Sequence, residues 1–489
     1  PNEALLHNIS GVCYKATGQL ELAAQSFKRA VAIKSDFADA HYNLGLTLQE
    51  LNQLDDAVKC YEKALTIKPD YAEAFNNLGV TLKDLDQLDE AVKCYEKALI
   101  INPDYPEAHN NLGNALKNLG RASRAAECFE RMLTIEPDYA EGHNNLGITL
   151  MVLGQPNAAV KSYMKALAIE PDYAEAYSNL GITLNELGRF EDAEASYKKA
   201  LAIAPHFAEA HSNLGDLLTD LKRFNEALVS YESAFNLKPD ITSILGKLLH
   251  TKMHLCLWDD LSSMLDELQD KINNNEKVID PFVMLGLIDD PELQRKATEI
   301  FVNENFQKNH DLPRIGLYPK HKKIRIGYFS ADFREHPVSA LTAELYEIHD
   351  RSHFEIYGFS YGPDTKDKMN LRIKAGVDHF YDVRTISHKD VAMLARSLEI
   401  DIAVDLGGYT QNARTEIFAM SAAPIQVSYI GYIGTMGANY YDYLLADQTL
   451  IPEDNQKYYV EKIVYLPSYQ VNDSTQSPPS ISLTRQDVG

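Results

Sequence analysis

The sequence is poor in cysteine, in positive charge and in long apolar runs, and each shortage removes a class of protein. Five cysteines among 489 residues, with no CxxC or CxxH spacing, support neither a disulfide framework nor a cysteine-based zinc site, and a reducing, cytoplasmic setting fits them. The 47 Lys and Arg stand against 70 Asp and Glu, a net charge of −23, so no generic hold on nucleic acid or on an anionic membrane is expected. The basic cluster at residues 320–325 leads straight into an apolar strand and reads as a solvated entry loop. No stretch of 18 apolar residues offers a bilayer span. The chain opens PNEALLHN, without initiator Met or signal pattern, and reads as an interior stretch of a longer protein.

What is present is periodicity. Proline recurs at Pro69, Pro103, Pro137, Pro171, Pro205 and Pro239, each 34 residues after the last. Glycine keeps the same period at Gly11, Gly45, Gly79, Gly113, Gly147, Gly181 and Gly215. Twelve residues on stand alanines from Ala23 to Ala227, and four further on an aromatic, from Phe27 through Tyr61 to Tyr231. Small residues let two antiparallel helices approach, the aromatic is expected to fill the gap between one pair and the next, and proline ends each pair because it tolerates a helix start but not an interior. The pattern resembles the tetratricopeptide repeat in about six full copies and one partial. Cys60, Cys94 and Cys128 share one slot and read as packing residues.

Stacked pairs of this kind form a superhelix with a concave groove. Asn43, Asn77, Asn111, Asn145, Asn179 and Asn213 precede each Leu-Gly on the first helix of a pair. Amides offer both donor and acceptor, so such a ladder is expected to hold the backbone of an extended polypeptide with little regard for its side chains. The competing reading is that the asparagines bond between repeats and fix the twist. The convex faces of such solenoids leave room for a homodimer.

The domain plan expected is repeats over 1–240, a helical capping and connecting region over 241–320, an α/β domain over 321–470 and a linker over 471–489. Trp258 is expected as a core anchor of the connector. Short β-branched and aromatic runs begin at Ile324, Phe354, His379, Ile402, Ile425, Tyr443 and Ile463, alternating with amphipathic stretches at 339–348, 366–375, 389–398 and 413–420. That alternation predicts a parallel sheet wrapped by helices, with ligands beyond the carboxyl ends of its strands. Three loops after predicted strands carry suggestive composition: Ser330 to Pro337 with Asp332 and His336, Gly407-Gly408-Tyr409-Thr410, and Gly431 to Gly437 with Gly434 and Thr435. None matches a dinucleotide or P-loop fingerprint.

Taken in order, Lys323 to Tyr328, Asp332-Phe333, His336-Pro337, Gly408-Tyr409-Thr410 with Ala413-Arg414, Ala423 to Gln426 and Gly431 to Thr435 closely resemble the tetratricopeptide-bearing O-linked N-acetylglucosamine transferase family, Spindly-type members included. The resemblance runs from about residue 3 to the C-terminus. It implies an α-solenoid followed by a Rossmann-like domain that is the first of two facing halves of a glycosyltransferase. It implies inverting, metal-independent transfer of N-acetylglucosamine from UDP-N-acetylglucosamine to Ser or Thr, with no further cofactor. By that resemblance His336 is catalytic on the cleft wall, while Asp332, Gly407, Gly408, Tyr409, Thr410, Gly434 and Thr435 face donor and acceptor. Bacterial relatives have His where this chain has Tyr409, and a phenol titrating near 10 is a poor base. Residues 467–489 resemble the bridge into the second half, which supplies most nucleotide contacts, so these 489 residues alone are expected to turn over little. A GDP-fucose donor and a non-catalytic tetratricopeptide scaffold are the alternatives.

Overall fold

The computed structural model describes residues 2–306, 312–470 except 314, 317 and 320, and 473–474. It divides into two compact units, Pro1–Leu217 and Leu218–Gly489. The division falls inside the helix Ala208–Asp220, ahead of the residue-240 boundary at which the 34-residue period ends.

The first unit is an array of antiparallel helix pairs, beginning with Asn2–Ala16 and Leu20–Ile33 and repeating as Ala38–Glu50 with Leu54–Ile67 and onward. Within each pair the helices approach so closely that a Cβ built on Gly45, Gly79, Gly147 or Gly181 would lie 2.5–2.8 Å from the ring of Tyr61, Tyr95, Tyr163 or Tyr197. The aromatic therefore seats on the glycine of its own repeat, and it also reaches the next pair as expected, Tyr61 sharing one core cluster with Leu78. Those rings are at most 2% exposed. The period is a packing rule: glycine leaves the hollow that the aromatic fills, and close packing tolerates neither excess nor void. Cys60, Cys94 and Cys128 are free, half-buried thiols whose acidity burial suppresses, consistent with packing residues.

In the second unit the helices Ile244–His254, Leu261–Asn273, Pro281–Leu287 and Pro291–Asn305 form the connector. Their core is Leu245, Leu249, Leu268, Ile272, Ile279 and Met284, with Phe235 of the last repeat helix packed against it. Trp258 is not in that core. It is 56% exposed on the turn after Ile244–His254, where the chain reverses before the aliphatic stripe resumes, so its expected anchoring role is overturned.

Seven strands follow: β1 Ile324–Ser330, β2 Phe354–Ser360, β3 His379–Asp382, β4 Ile402–Asp405, β5 Ile425–Ser428, β6 Tyr443–Ala446 and β7 Lys462–Tyr465. All pairings are parallel and the spatial order is β3-β2-β1-β4-β5-β6-β7. Near-continuous burial of β1 and β2 reflects helices on both faces. The order reverses between β1 and β4, whose carboxyl ends are in register at Phe329 and Asp405. A doubly wound sheet opens its ligand crevice at such a reversal, because the loops leaving the two strands turn to opposite faces. Lys322 and Lys323 at the entrance to β1 are exposed, while Arg325 is paired with Glu355 and Glu399. The expected linker over 471–489 lies outside the described residues apart from Asp473 and Ser474.

Candidate active site

The loop leaving β1 is tied down by its own polar side chains. Asp332 N–H donates to Ser330 Oγ at 2.9 Å, and the Ser339 hydroxyl donates to the Asp332 carbonyl. Arg334 donates to the buried Asp332 carboxylate at 3.2 Å, and the other carboxylate oxygen lies 3.6 Å from His336 Nδ1. His336 caps the helix Pro337–Ile348: its Nδ1 accepts from Val338 N–H at 3.3 Å. A third of the imidazole remains solvent-exposed, so the ring is not folded beneath the sheet. This cap has a chemical consequence, since an Nδ1 that accepts places the ring proton of neutral His336 on Nε2 and makes that nitrogen a donor. Basicity at Nε2 requires the Val338 bond to break and Nδ1–H to turn to Asp332 instead.

The loop leaving β4 is organised by Asp405. Its Oδ1 accepts from Gly407 N–H at 2.9 Å and Gly408 N–H at 3.1 Å, and its Oδ2 accepts from the Tyr441 hydroxyl at 2.6 Å. Burial raises the Asp405 pKa, although all three donors favour the charged form. Gly408 has φ +61°, and a Cβ there would lie 2.4 Å from Tyr432 Cβ, so both backbone and space demand glycine. Thr410 closes the turn through Oγ1 to the Gly407 carbonyl at 2.8 Å. Tyr409 donates its hydroxyl to the Met436 carbonyl at 2.6 Å, and its ring packs against Phe301, Phe306 and Tyr432. Burial pushes that phenol well above its ordinary pKa.

The loop after β5 forms a separate knot. Thr435 donates to Glu461 Oε2 at 2.9 Å, Met436 N–H donates to Glu461 Oε1 at 2.6 Å, and Thr435 Oγ1 accepts from Gly437 and Val460 N–H. Burial lifts the Glu461 pKa to about 6. Gly434 makes room for the Tyr432 hydroxyl, 2.6 Å from where its Cβ would stand. The loop bearing Asp332 and His336 and the loop bearing Gly407, Gly408 and Thr410 thus leave the paired strands β1 and β4 at the reversal, while Thr435 and the Tyr409 hydroxyl are engaged by the protein itself.

Sequence reasoning missed two groups here. Asp405 is the organiser of its loop, and an Asp ending a buried strand before paired glycines was the available signal. Tyr361, following β2, stands against the β4 loop: its hydroxyl is buried and 3.4 Å from the Cβ position of Gly407. A tyrosine continuing an apolar run gives no sequence signal of that kind.

In the repeats, the asparagines spend donors between neighbours. Asn43 Nδ2 donates to Asn8 Oδ1, Asn77 to the Tyr42 hydroxyl, Asn111 to Asn76 and Asn179 to Asn144, at 2.8–3.1 Å, while Asn145 and Asn213 reach Asn110 and Ser178 at 3.5 Å. Each bond spans 35 residues, from one first helix to the preceding one. A cavity of about 640 Å³ nevertheless opens beside them, lined by Asn144, Asn145, Asn179, Tyr173, Glu141 and Phe207 among others.

Comparison with known proteins agrees with this anatomy. Residues 296–482 match the family model described as Glycosyl transferase family 41, and tetratricopeptide repeat models match stretches between residues 11 and 248. The "Probable UDP-N-acetylglucosamine–peptide N-acetylglucosaminyltransferase SEC" of Arabidopsis thaliana is 35% identical over 263 residues, covering 50% of this chain and 27% of that protein. The UDP-N-acetylglucosamine–peptide N-acetylglucosaminyltransferase of Caenorhabditis elegans is 37% identical over 160 residues, 32% of this chain and 14% of that protein. Among solved structures, an O-GlcNAc transferase mutant of Thermobaculum terrenum aligns with 25% identity over 70% of this chain and 59% of that one, at a TM-score of 0.45. The chain therefore spans about a quarter or less of the length of these curated relatives. Over the stretches matched, it is similar to proteins named as UDP-N-acetylglucosamine–peptide N-acetylglucosaminyltransferases, and its α/β region matches the glycosyl transferase family 41 model.

Proposed function

We propose that this chain supplies the polypeptide-holding array and one wall of the active-site cleft of a protein O-glycosyltransferase. The reaction is transfer of N-acetylglucosamine from UDP-N-acetylglucosamine to a Ser or Thr hydroxyl. The observation that carries the reading is that the loop bearing Asp332 and His336 and the Gly407–Thr410 turn follow the neighbouring strands β1 and β4 at the reversal of a parallel sheet. Relatives named for this transfer are 35% and 37% identical over 263 and 160 residues of this chain, which supports the donor over GDP-fucose.

On this reading His336 acts as a hydrogen-bond donor through Nε2 while the Val338 cap holds. That role suits an oxygen of the donor, or of the acceptor as it is oriented, better than proton abstraction. Asp332 holds the alternative tautomer within reach at 3.6 Å. The half-open repeat cavity takes an extended acceptor, and no metal or additional cofactor is invoked.

The reading is tested on the chain as it stands by saturation-transfer NMR with UDP-N-acetylglucosamine and GDP-fucose, each with a Ser-containing peptide. Sugar-proton contacts should appear for the first donor and fall several-fold in Asp332→Ala. Contacts from neither donor would overturn the reading, and contacts from GDP-fucose alone would replace the donor.

A further inference from the structure

Outside the crevice, the connector carries two histidines one helical turn apart. His250 and His254 lie on the helix Ile244–His254, and their Nε2 atoms approach to 3.2 Å. Their rings stand nearly at right angles, 77°, with centroids 4.6 Å apart. Phe224 stacks on His254 at 4.4 Å and 6°, which fixes that ring's orientation from the neighbouring repeat helix. His250 also forms part of the wall of a cavity of about 410 Å³ with Met253, Phe282 and Ile433.

Two neutral imidazoles bound to one tetrahedral first-row ion, at about 2.0–2.1 Å each, hold their nitrogens about 3.3 Å apart. An i,i+4 histidine pair on one helix face presents that arrangement without moving the backbone. We propose that His250 and His254 form a bidentate site for a divalent first-row transition ion such as Zn²⁺ or Cu²⁺. Lys222, whose ammonium also lies over the Phe224 ring, opposes the incoming cation. Among the described residues no group of three or more His, Cys, Asp or Glu side chains could complete the site, so the remaining positions stay open to water or to a donor from a bound molecule. The HxxxH spacing was visible in the sequence, but cysteine spacing alone was weighed there.

Calorimetric titration of the chain with Zn²⁺, and electron paramagnetic resonance of the Cu²⁺ complex, test the site. The first equivalent should bind with two-nitrogen coordination. His254→Ala and His250→Ala should each weaken it by on the order of tenfold or more, since chelation is lost. His353→Ala, at an exposed histidine elsewhere, should change nothing, and Lys222→Ala should tighten binding. His254 is exposed, so its removal does not threaten folding. Equal affinity in His254→Ala and the parent chain, or no binding by the parent, overturns the proposal and leaves the pair as a histidine–histidine hydrogen bond.

Discussion

The repeat array and the α/β layer use glycine to opposite ends. In the array, a glycine such as Gly147 makes a hollow for the edge of Tyr163, a side chain one helix away that would have to shift, but without moving backbone. In the α/β layer, Gly362 faces the Ala331 carbonyl, 1.6 Å from where a Cβ would stand, and Gly431 faces the Leu406 carbonyl at 2.0 Å. There backbone meets backbone across strands distant in sequence. The array is a sum of local contacts, whereas the crevice is a set of loops that fit only when the whole sheet is in register.

This contrast can be broken or sharpened by substitution. Gly362→Ala should have the largest effect, above about 4 kcal/mol in denaturant unfolding of the second unit, because the β1 loop must move bodily. Survival of the fold with little change would show that the two regions do not differ. Gly147→Ala should cost about 1–3 kcal/mol, the usual range for overpacking, with the loss confined to neighbouring repeats by hydrogen exchange.

Glu461 sharpens the comparison by pH. Its folded pKa of about 6 lies above the ordinary carboxylate value near 4.3, so the folded state holds the proton more tightly than the unfolded one. Stability contributed by this group is therefore present at low pH and falls by about 2 kcal/mol as pH rises from 4.3 through 6. Glu461→Gln should flatten that slope in thermal melts, and an unchanged slope would assign it elsewhere. The smallest effect is expected at His321, whose pKa is raised by hydrogen bonds to Asp401 and Glu399. Its contribution is full below the unfolded value near 6.5 and is lost as pH rises through the higher folded one. His321→Gln should remove that slight decline.

Much of this was legible in the residues because it rests on spacing. The seven strands begin within a residue of where β-branched and aromatic runs begin, and the helices Pro337–Ile348 and His388–Ser397 fall within two residues of the amphipathic stretches at 339–348 and 389–398. Spacing is a local property, and it fixes which face of an element is apolar but not which element it meets. The placing of β4 beside β1, the Tyr441 hydroxyl on Asp405 and the burial of the Tyr361 hydroxyl depend on partners dozens of residues away or on packing, which no short window of sequence displays. Tyr409 and Thr435 illustrate the same limit: the family resemblance placed them facing donor and acceptor, whereas tertiary contacts engage both hydroxyls. Trp258 failed for another reason, since size argued for burial while its position on a turn left nothing to cover it.

The central claim is that substrates meet this chain at the carboxyl ends of β1 and β4. Hydrogen–deuterium exchange of the full chain with saturating UDP-N-acetylglucosamine and an extended Ser-containing peptide tests it most directly. Protection should rise in residues 331–336 and 406–415 and along the first helices of the repeats, and the first two segments should lose it in His336→Ala. Protection confined to other segments, with those two loops exchanging as in the free protein, would contradict the account.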